Sequence, residues 1–217
     1  MKIIGLTGGI ACGKSETTKY LKTQQIPVID CDAISKELQT TDTDTLSEIQ
    51  TALPEVIENG TLNRQMLSHI AFSNPKKLKI IEQIMMPKIL KKIHSEINRI
   101  QDEKQPIVFI DAPLLFEKNL DKLCDYTVCV YTYPQIQKRR FLSRPNMTEE
   151  KLKLILQQQM SLKKKRKRAD FKILSTNLKS LHKQIDAILQ NLSASPQCIC
   201  SSITPTNNRN QEKQNIR

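Results

Sequence analysis

Glycine is scarce in this chain of 217 residues, five in all, tryptophan is absent, and aromatic side chains make up only 4% of the whole. So little glycine excludes collagen-like and glycine-rich low-complexity classes. So few aromatics leave little on which unpaired bases could stack, which argues against a reader of single-stranded nucleic acid. No apolar run approaches the ~20 residues of a membrane helix. Met1-Lys2 passes straight into Ile3-Ile4-Gly5 without the pattern of a secretory leader, so a soluble, cytoplasmic protein with no membrane partner is expected. The six cysteines form no C-x-x-C pair, and a chain of this length buries a core without disulfides, so reduced thiols are expected. His69, His94 and His182 stand apart from one another and from thiols at metal-ligand spacing, which leaves no zinc site to propose.

Positive charge is plentiful. The formal net charge of +12 favours polyanionic partners: nucleic acid, an anionic surface or phosphorylated small molecules. Along the chain, short apolar runs alternate with helical stretches. Residues 2–7, 27–29, 107–110, 126–131 and 171–174 read as strands, and the uninterrupted runs at 107–110 and 126–131 suit buried parallel strands. Helices are expected over residues 14–23, 134–142, 148–165 and 178–192. Between about Thr40 and Gln101 the pattern is helical, with Leu78, Ile81, Ile84 and Met85 on one face, continued after Pro87 by Ile89, Ile93, Ile97 and Ile100. Such alternation implies an α/β fold with a parallel sheet. Residues 193–217, rich in Ser, Asn, Gln and Pro, are expected to be a disordered polar tail.

Four of the five glycines, Gly5, Gly8, Gly9 and Gly13, are concentrated where the first strand gives way to the first helix. Gly8-Gly9-Ile10-Ala11-Cys12-Gly13-Lys14-Ser15 matches G-x-x-x-x-G-K-[ST], the P-loop pattern, in the strand-to-helix context that makes it mechanical. From this composition a chance match is expected about 10⁻³ times. Glycines let the backbone curl so that N–H groups face inward, and the helix start adds its positive end beneath bound phosphates. Lys14 would then reach the β- and γ-phosphates and Ser15 would hold magnesium. Past the second strand, Asp30 and Asp32 place two carboxylates at the edge where open α/β sheets bind ligands; they act on an acceptor hydroxyl, or they cap a helix. Cys12 has two readings also: a thiol activated by the helix N-terminus, or a small residue that fits. The basic run Lys163 to Arg168 is a solvated face or, in a rival reading, the contact of a nucleic-acid-binding ATPase.

Taken together, GLTGGIACGKS, VIDCDAIS, NGTLNR ending at Arg64, IDAPLLFE from Ile110 to Glu117, Gln137 with Arg140 and Arg144, and RADFKILSTN ending at Asn177 resemble the dephospho-CoA kinase family. The resemblance runs from Lys2 to about Leu192. It implies a P-loop nucleoside triphosphate hydrolase fold of the nucleoside-monophosphate-kinase kind, with a parallel five-stranded sheet flanked by helices. The core would comprise residues 1–39 and 102–192, with an inserted helical substrate domain over about 40–101 and a lid over about 139–147. The implied reaction is ATP-dependent phosphorylation of the ribose 3′-hydroxyl of dephospho-coenzyme A, the last step of coenzyme A biosynthesis, with ATP and Mg2+ and small-molecule rather than nucleic-acid partners. Another P-loop small-molecule kinase, acting on a nucleoside monophosphate or a sugar acid, is the nearer alternative.

On the same resemblance Asp32, Lys14 and Arg140 would be catalytic. Gly8, Gly9, Ala11, Cys12, Gly13, Lys14, Ser15, Glu16, Arg144 and Asn177 would hold the nucleotide, with Ser15 on the metal. Asp32, Arg64, Leu114 and Leu115 would meet the acceptor, although the two leucines equally suit a core. Asp111 is either a magnesium contact or structural. The chain departs from the family at Glu16, where a small hydroxyl residue is usual, at Met86-Pro87 in place of His-Pro, and in lacking a glycine soon after Asn177. Glu16 puts negative charge near the phosphates, so somewhat weaker nucleotide binding is expected.

Overall fold

The computed structural model describes residues 1–58, 61–63, 66–67, 70 and 74–193. Two compact units are present: Met1–Val28 with the chain from Gln105 onward, and Ile29–Lys104. The second begins eleven residues before Thr40 because a helix starts immediately after the second strand.

A parallel five-stranded sheet of order β2-β5-β1-β6-β7, all of it but Ile29 and Asp30 in the first unit, is the frame of the fold. Its strands are β1 (Lys2–Gly8), β2 (Val28–Asp30), β5 (Ile107–Asp111), β6 (Tyr126–Tyr131) and β7 (Phe171–Leu174). β1 lies in the middle, with Leu6 opposite Asp111 on one side and Val128 on the other. All five residues of β5 are buried, which explains why its sequence is an unbroken apolar run. The chain leaves β1 toward β2 on one side and later runs β5, β6, β7 across to the other. The loop after β1 therefore sits where the direction of winding reverses, the crevice in which open sheets bind ligands.

Helix α1 (Lys14–Thr23) and the last helix α8 (Leu178–Ser193) cover the sheet, and Leu21, Leu181, Ile185 and Leu192 pack on Ile4, Phe109, Val130 and Ile173. Each such side chain contributes about 1.5–3 kcal/mol on full burial. The other helices of this unit are α5 (Pro134–Leu142), α6 (Glu149–Gln158) and α7 (Leu162–Arg168). Residues 148–165, expected as one helix, are two. Ser161 starts a new helix by accepting the Lys164 N–H at 3.4 Å, and α7 runs on to Arg168. Of residues 193–217, expected as a disordered tail, Ser193 closes the last helix, and 194–217 lie outside the described residues.

In the second unit α2 (Cys31–Thr40) and α3 (Thr43–Ala52) pack beside α4 (Pro75–Asp102), a helix of 28 residues. A two-strand ribbon, β3 (Ile57–Glu58) with β4 (Thr61–Leu62), completes it. Asn74 caps α4 by accepting the Lys77 N–H, with Pro75 pre-set for the first turn. Ile81, Met85, Ile93, Ile97 and Ile100 form the buried stripe. That stripe carries the helix through Pro87, whose missing N–H leaves the Gln83 carbonyl without its usual helical donor. Among the described residues no helix is long and apolar enough to cross a membrane.

Candidate active site

The loop between β1 and α1 is shaped by close backbone approaches. A Cβ on Gly8 would stand 2.6 Å from the Val130 carbonyl oxygen, so β1 can lie against β6 there only as glycine. Ala11 at φ 56° and Gly13 at φ 98° are left-handed on either side of Cys12, and the Cys12 N–H turns back to the Gly9 carbonyl at 3.2 Å. Left-handed residues in such a loop turn successive N–H groups into one concavity, which suits an anion. The buried Gln137 amide fixes the loop from outside by donating to the Ile10 carbonyl at 2.8 Å. Ser15 is exposed in the first turn of α1, directly after Lys14.

Gly13 is the most constrained point. A Cβ there would meet the Ser175 Oγ at 2.3 Å, on top of a backbone angle that costs an L-residue about 1–2 kcal/mol. Gly13→Ala is expected to lower the unfolding midpoint by at least about 4 °C and to abolish stabilisation by ATP. Scanning calorimetry with and without nucleotide checks this, and an unshifted midpoint refutes it.

Behind the loop is a buried ionic cluster that sequence reasoning saw only in part. Lys14 Nζ lies 2.5 Å from Asp111 Oδ1, and Thr18 Oγ1 donates to Asp111 Oδ2 at 2.6 Å. Asp111 is 3% exposed. Both of its oxygens are thus occupied by protein donors, which gives it a structural partner on each side. Thr18 was missed because its only signal is its place one helical turn after Lys14.

Arg140 lies in the last turn of α5. That helix ends at Leu142, and Arg144 lies exposed beyond it. The Arg140 guanidinium donates to the carbonyls of Ser175 and Thr176, both at 3.0 Å, and stands 3.9 Å from where a Gly13 Cβ would be. It therefore joins α5 to the segment after β7 alongside the phosphate loop. Asn177 in that segment caps α8, its Oδ1 accepting the Ser180 N–H at 2.9 Å.

Cys12 is fully buried, and burial pushes its thiol above the ordinary range, only partly offset by a backbone hydrogen bond from Thr132. Of the two readings of Cys12, burial favours the small residue that fits: desolvation outweighs the helix terminus. Iodoacetamide should label Cys12 at least tenfold more slowly in the folded protein than in urea, with a rate still climbing above pH 9. Peptide mapping of the labelled protein measures both; fast labelling at pH 7 contradicts it. Cys129, buried on β6, is pushed up to about 12 for the same reason. Glu16 turns to Lys19 at 3.0 Å in a largely exposed pair, so its charge is partly neutralised outside the loop.

The basic run is not a uniform solvated face. Lys165 is 0% exposed, Arg166 lies over the Tyr131 ring at 3.9 Å, and Arg168 lies over Phe116 at 4.5 Å while pairing with Asp121 at 3.1 Å. Three of the six cations thus hold α7 to the core. Of the leucines after β5, Leu115 is fully buried beneath Gly5 and belongs to the core, whereas Leu114 is half-buried.

In the second unit, Asp30 caps α2: its Oδ1 accepts the N–H groups of Asp32 and Ala33, each at 3.0 Å. Asp32 is exposed on the first turn of that helix. Arg64 lies outside the described residues.

Against known proteins, the family model for dephospho-CoA kinase matches residues 2–180. A dephospho-CoA kinase of Bartonella quintana is 40% identical over 194 residues, covering 88% of this chain and 98% of that one. One from Listeria innocua is 34% identical over 87% of this chain and 94% of its own length. A crystal structure from Thermus thermophilus superposes with a TM-score of 0.80 at 30% identity, covering 89% of this chain and 98% of that one. The dephospho-CoA kinase of Campylobacter jejuni shares the fold, with a TM-score of 0.59 at 23% identity over 88% of this chain and 97% of its own.

Proposed function

This chain belongs to the dephospho-CoA kinase family, and from that premise we propose how its residues divide the work. The reaction is transfer of the γ-phosphoryl group of ATP to the ribose 3′-hydroxyl of dephospho-coenzyme A, giving coenzyme A and ADP. The bond from the γ-phosphorus to the β-bridging oxygen breaks as a bond to the 3′-oxygen forms, and the hydroxyl proton passes to Asp32.

The observation that carries the assignment of Asp32 is the capping role of Asp30. Asp30 is engaged in capping the helix, and Asp32 stands exposed on the first turn beside that cap. The phosphate loop, Gly8 to Ser15, holds the triphosphate through its N–H groups, and Lys14 leaves Asp111 to meet the β- and γ-phosphates. The exposed Ser15 hydroxyl fits a magnesium ion at the same phosphates. That ion would neutralise charge on the β- and γ-oxygens. Arg140 orders the segment after β7 on the nucleotide side, Arg144, on the exposed residues just past α5, closes over the phosphates as part of a lid over about 139–147, and Leu114 meets the acceptor. The unit Ile29–Lys104 serves as the substrate domain.

Incubation with ATP, magnesium and a panel of acceptors should place phosphate on the ribose 3′-position of dephospho-coenzyme A, identified by mass spectrometry and NMR. Equal or faster transfer to a nucleoside monophosphate or a sugar acid overturns the assignment.

A further inference from the structure

A lysine at 0% exposure is costly, because an ammonium leaves water at a penalty of several kcal/mol unless it is fully paired. Lys165 is paired on one segment. Its Nζ donates to the Pro113 carbonyl and lies 2.9 Å from Glu117 Oε1. The Pro113 carbonyl also accepts from Thr7 Oγ1 at 3.1 Å, one residue before the phosphate loop opens at Gly8. Glu117 Oε1 accepts the Met160 N–H at 2.8 Å, between α6 and α7. Glu117 Oε2 is buried with no hydrogen-bond partner among the described residues. The carboxylate is therefore held in place by what Oε1 does.

Lys165 grips both ends of the five-residue turn from Pro113 to Glu117. Between those ends Leu115 and Phe116 are buried, and Leu114 alone of the three stays half-exposed. We propose that Lys165 is a positioning residue for the acceptor: its buried ammonium, clamped between Pro113 and Glu117, fixes the turn that presents Leu114 to dephospho-coenzyme A. The inference rests on the reading of Leu114 as an acceptor contact. A hydrophobic lysine analogue would fill the space, but it would remove the ammonium that ties the Pro113 carbonyl to the Glu117 carboxylate, leaving the one to Thr7 Oγ1 and the other to the Met160 N–H. The turn would then sample orientations in which Leu114 is misplaced, and binding of the acceptor would weaken while the phosphate loop kept its own supports, Gln137 and Asp111.

The test compares Lys165→Met, Glu117→Gln, the double variant and Leu114→Ala, each by thermal unfolding and by separate KM values for ATP and dephospho-coenzyme A. Lys165→Met strands a buried carboxylate, so its unfolding midpoint should fall furthest. The double variant removes both charges and should recover most of that midpoint. Its KM for dephospho-coenzyme A should nevertheless stay about tenfold raised, with the KM for ATP within twofold of the parent. Recovery of both midpoint and acceptor KM in the double variant, or an equal rise in the two KM values, overturns the proposal. If Leu114→Ala leaves the acceptor KM unchanged, the acceptor reading of this turn is what fails, and the proposal falls with it.

Discussion

Asp32→Asn is expected to lower kcat by about 10²–10⁴-fold, the range of a positioned general base, while the Kd for ATP stays within twofold. The amide keeps the size of the carboxylate and cannot take the 3′-hydroxyl proton. The neighbouring aspartate supplies the control. Asn caps a helix about as well as Asp, so Asp30→Asn should leave kcat within about threefold, and Asp30→Ala should cost about 1 kcal/mol of stability through the lost cap. Single-turnover kinetics and nucleotide titration on the three variants separate the roles. If Asp32→Asn retains near-parental turnover while Asp30→Asn loses it, the base has been assigned to the wrong carboxylate.

Lys14→Met should reduce kcat by about 10²–10³-fold, as expected for the loss of a preorganised charge at the transferring phosphoryl group. The same substitution leaves the buried Asp111, which also accepts from Thr18 Oγ1, without its counter-charge, a change that typically costs about 3–5 kcal/mol. Stability and chemistry must therefore be separated. Lys14→Met combined with Asp111→Asn should regain most of the unfolding midpoint with no recovery of kcat. A double variant that regains turnover would show that Lys14 acts only by neutralising Asp111.

The sequence made the sheet legible because its strands are short apolar runs with unambiguous ends, and α4 because its buried stripe recurs over so many turns that Pro87 could not interrupt it. The phosphate loop was legible because glycine is otherwise so rare. What was hidden is tertiary. Nothing in the run Lys163 to Arg168 distinguishes Lys165, since its burial depends on Glu117, far away in the chain. Arg140 reads like any basic residue on a helix, and its carbonyl partners at Ser175 and Thr176 leave no mark in composition. The two readings of Cys12 stayed open because sequence shows the helix start and conceals the burial. Asp30 as the cap was one of two open readings, and only the bonds to Asp32 and Ala33 chose between them.

The position of β1 between β5 and β6 governs how the molecule is born. Lys2 has no strand partner until Ile107 exists, and Gly8 none until Val130 does, so about half the chain must leave the ribosome before the first strand finds a neighbour. Pairings this distant in sequence make folding slow, since a long loop must close before any ladder bond repays it. Until then the apolar run Ile3-Ile4-Gly5-Leu6 is an unpaired edge exposed to other nascent chains.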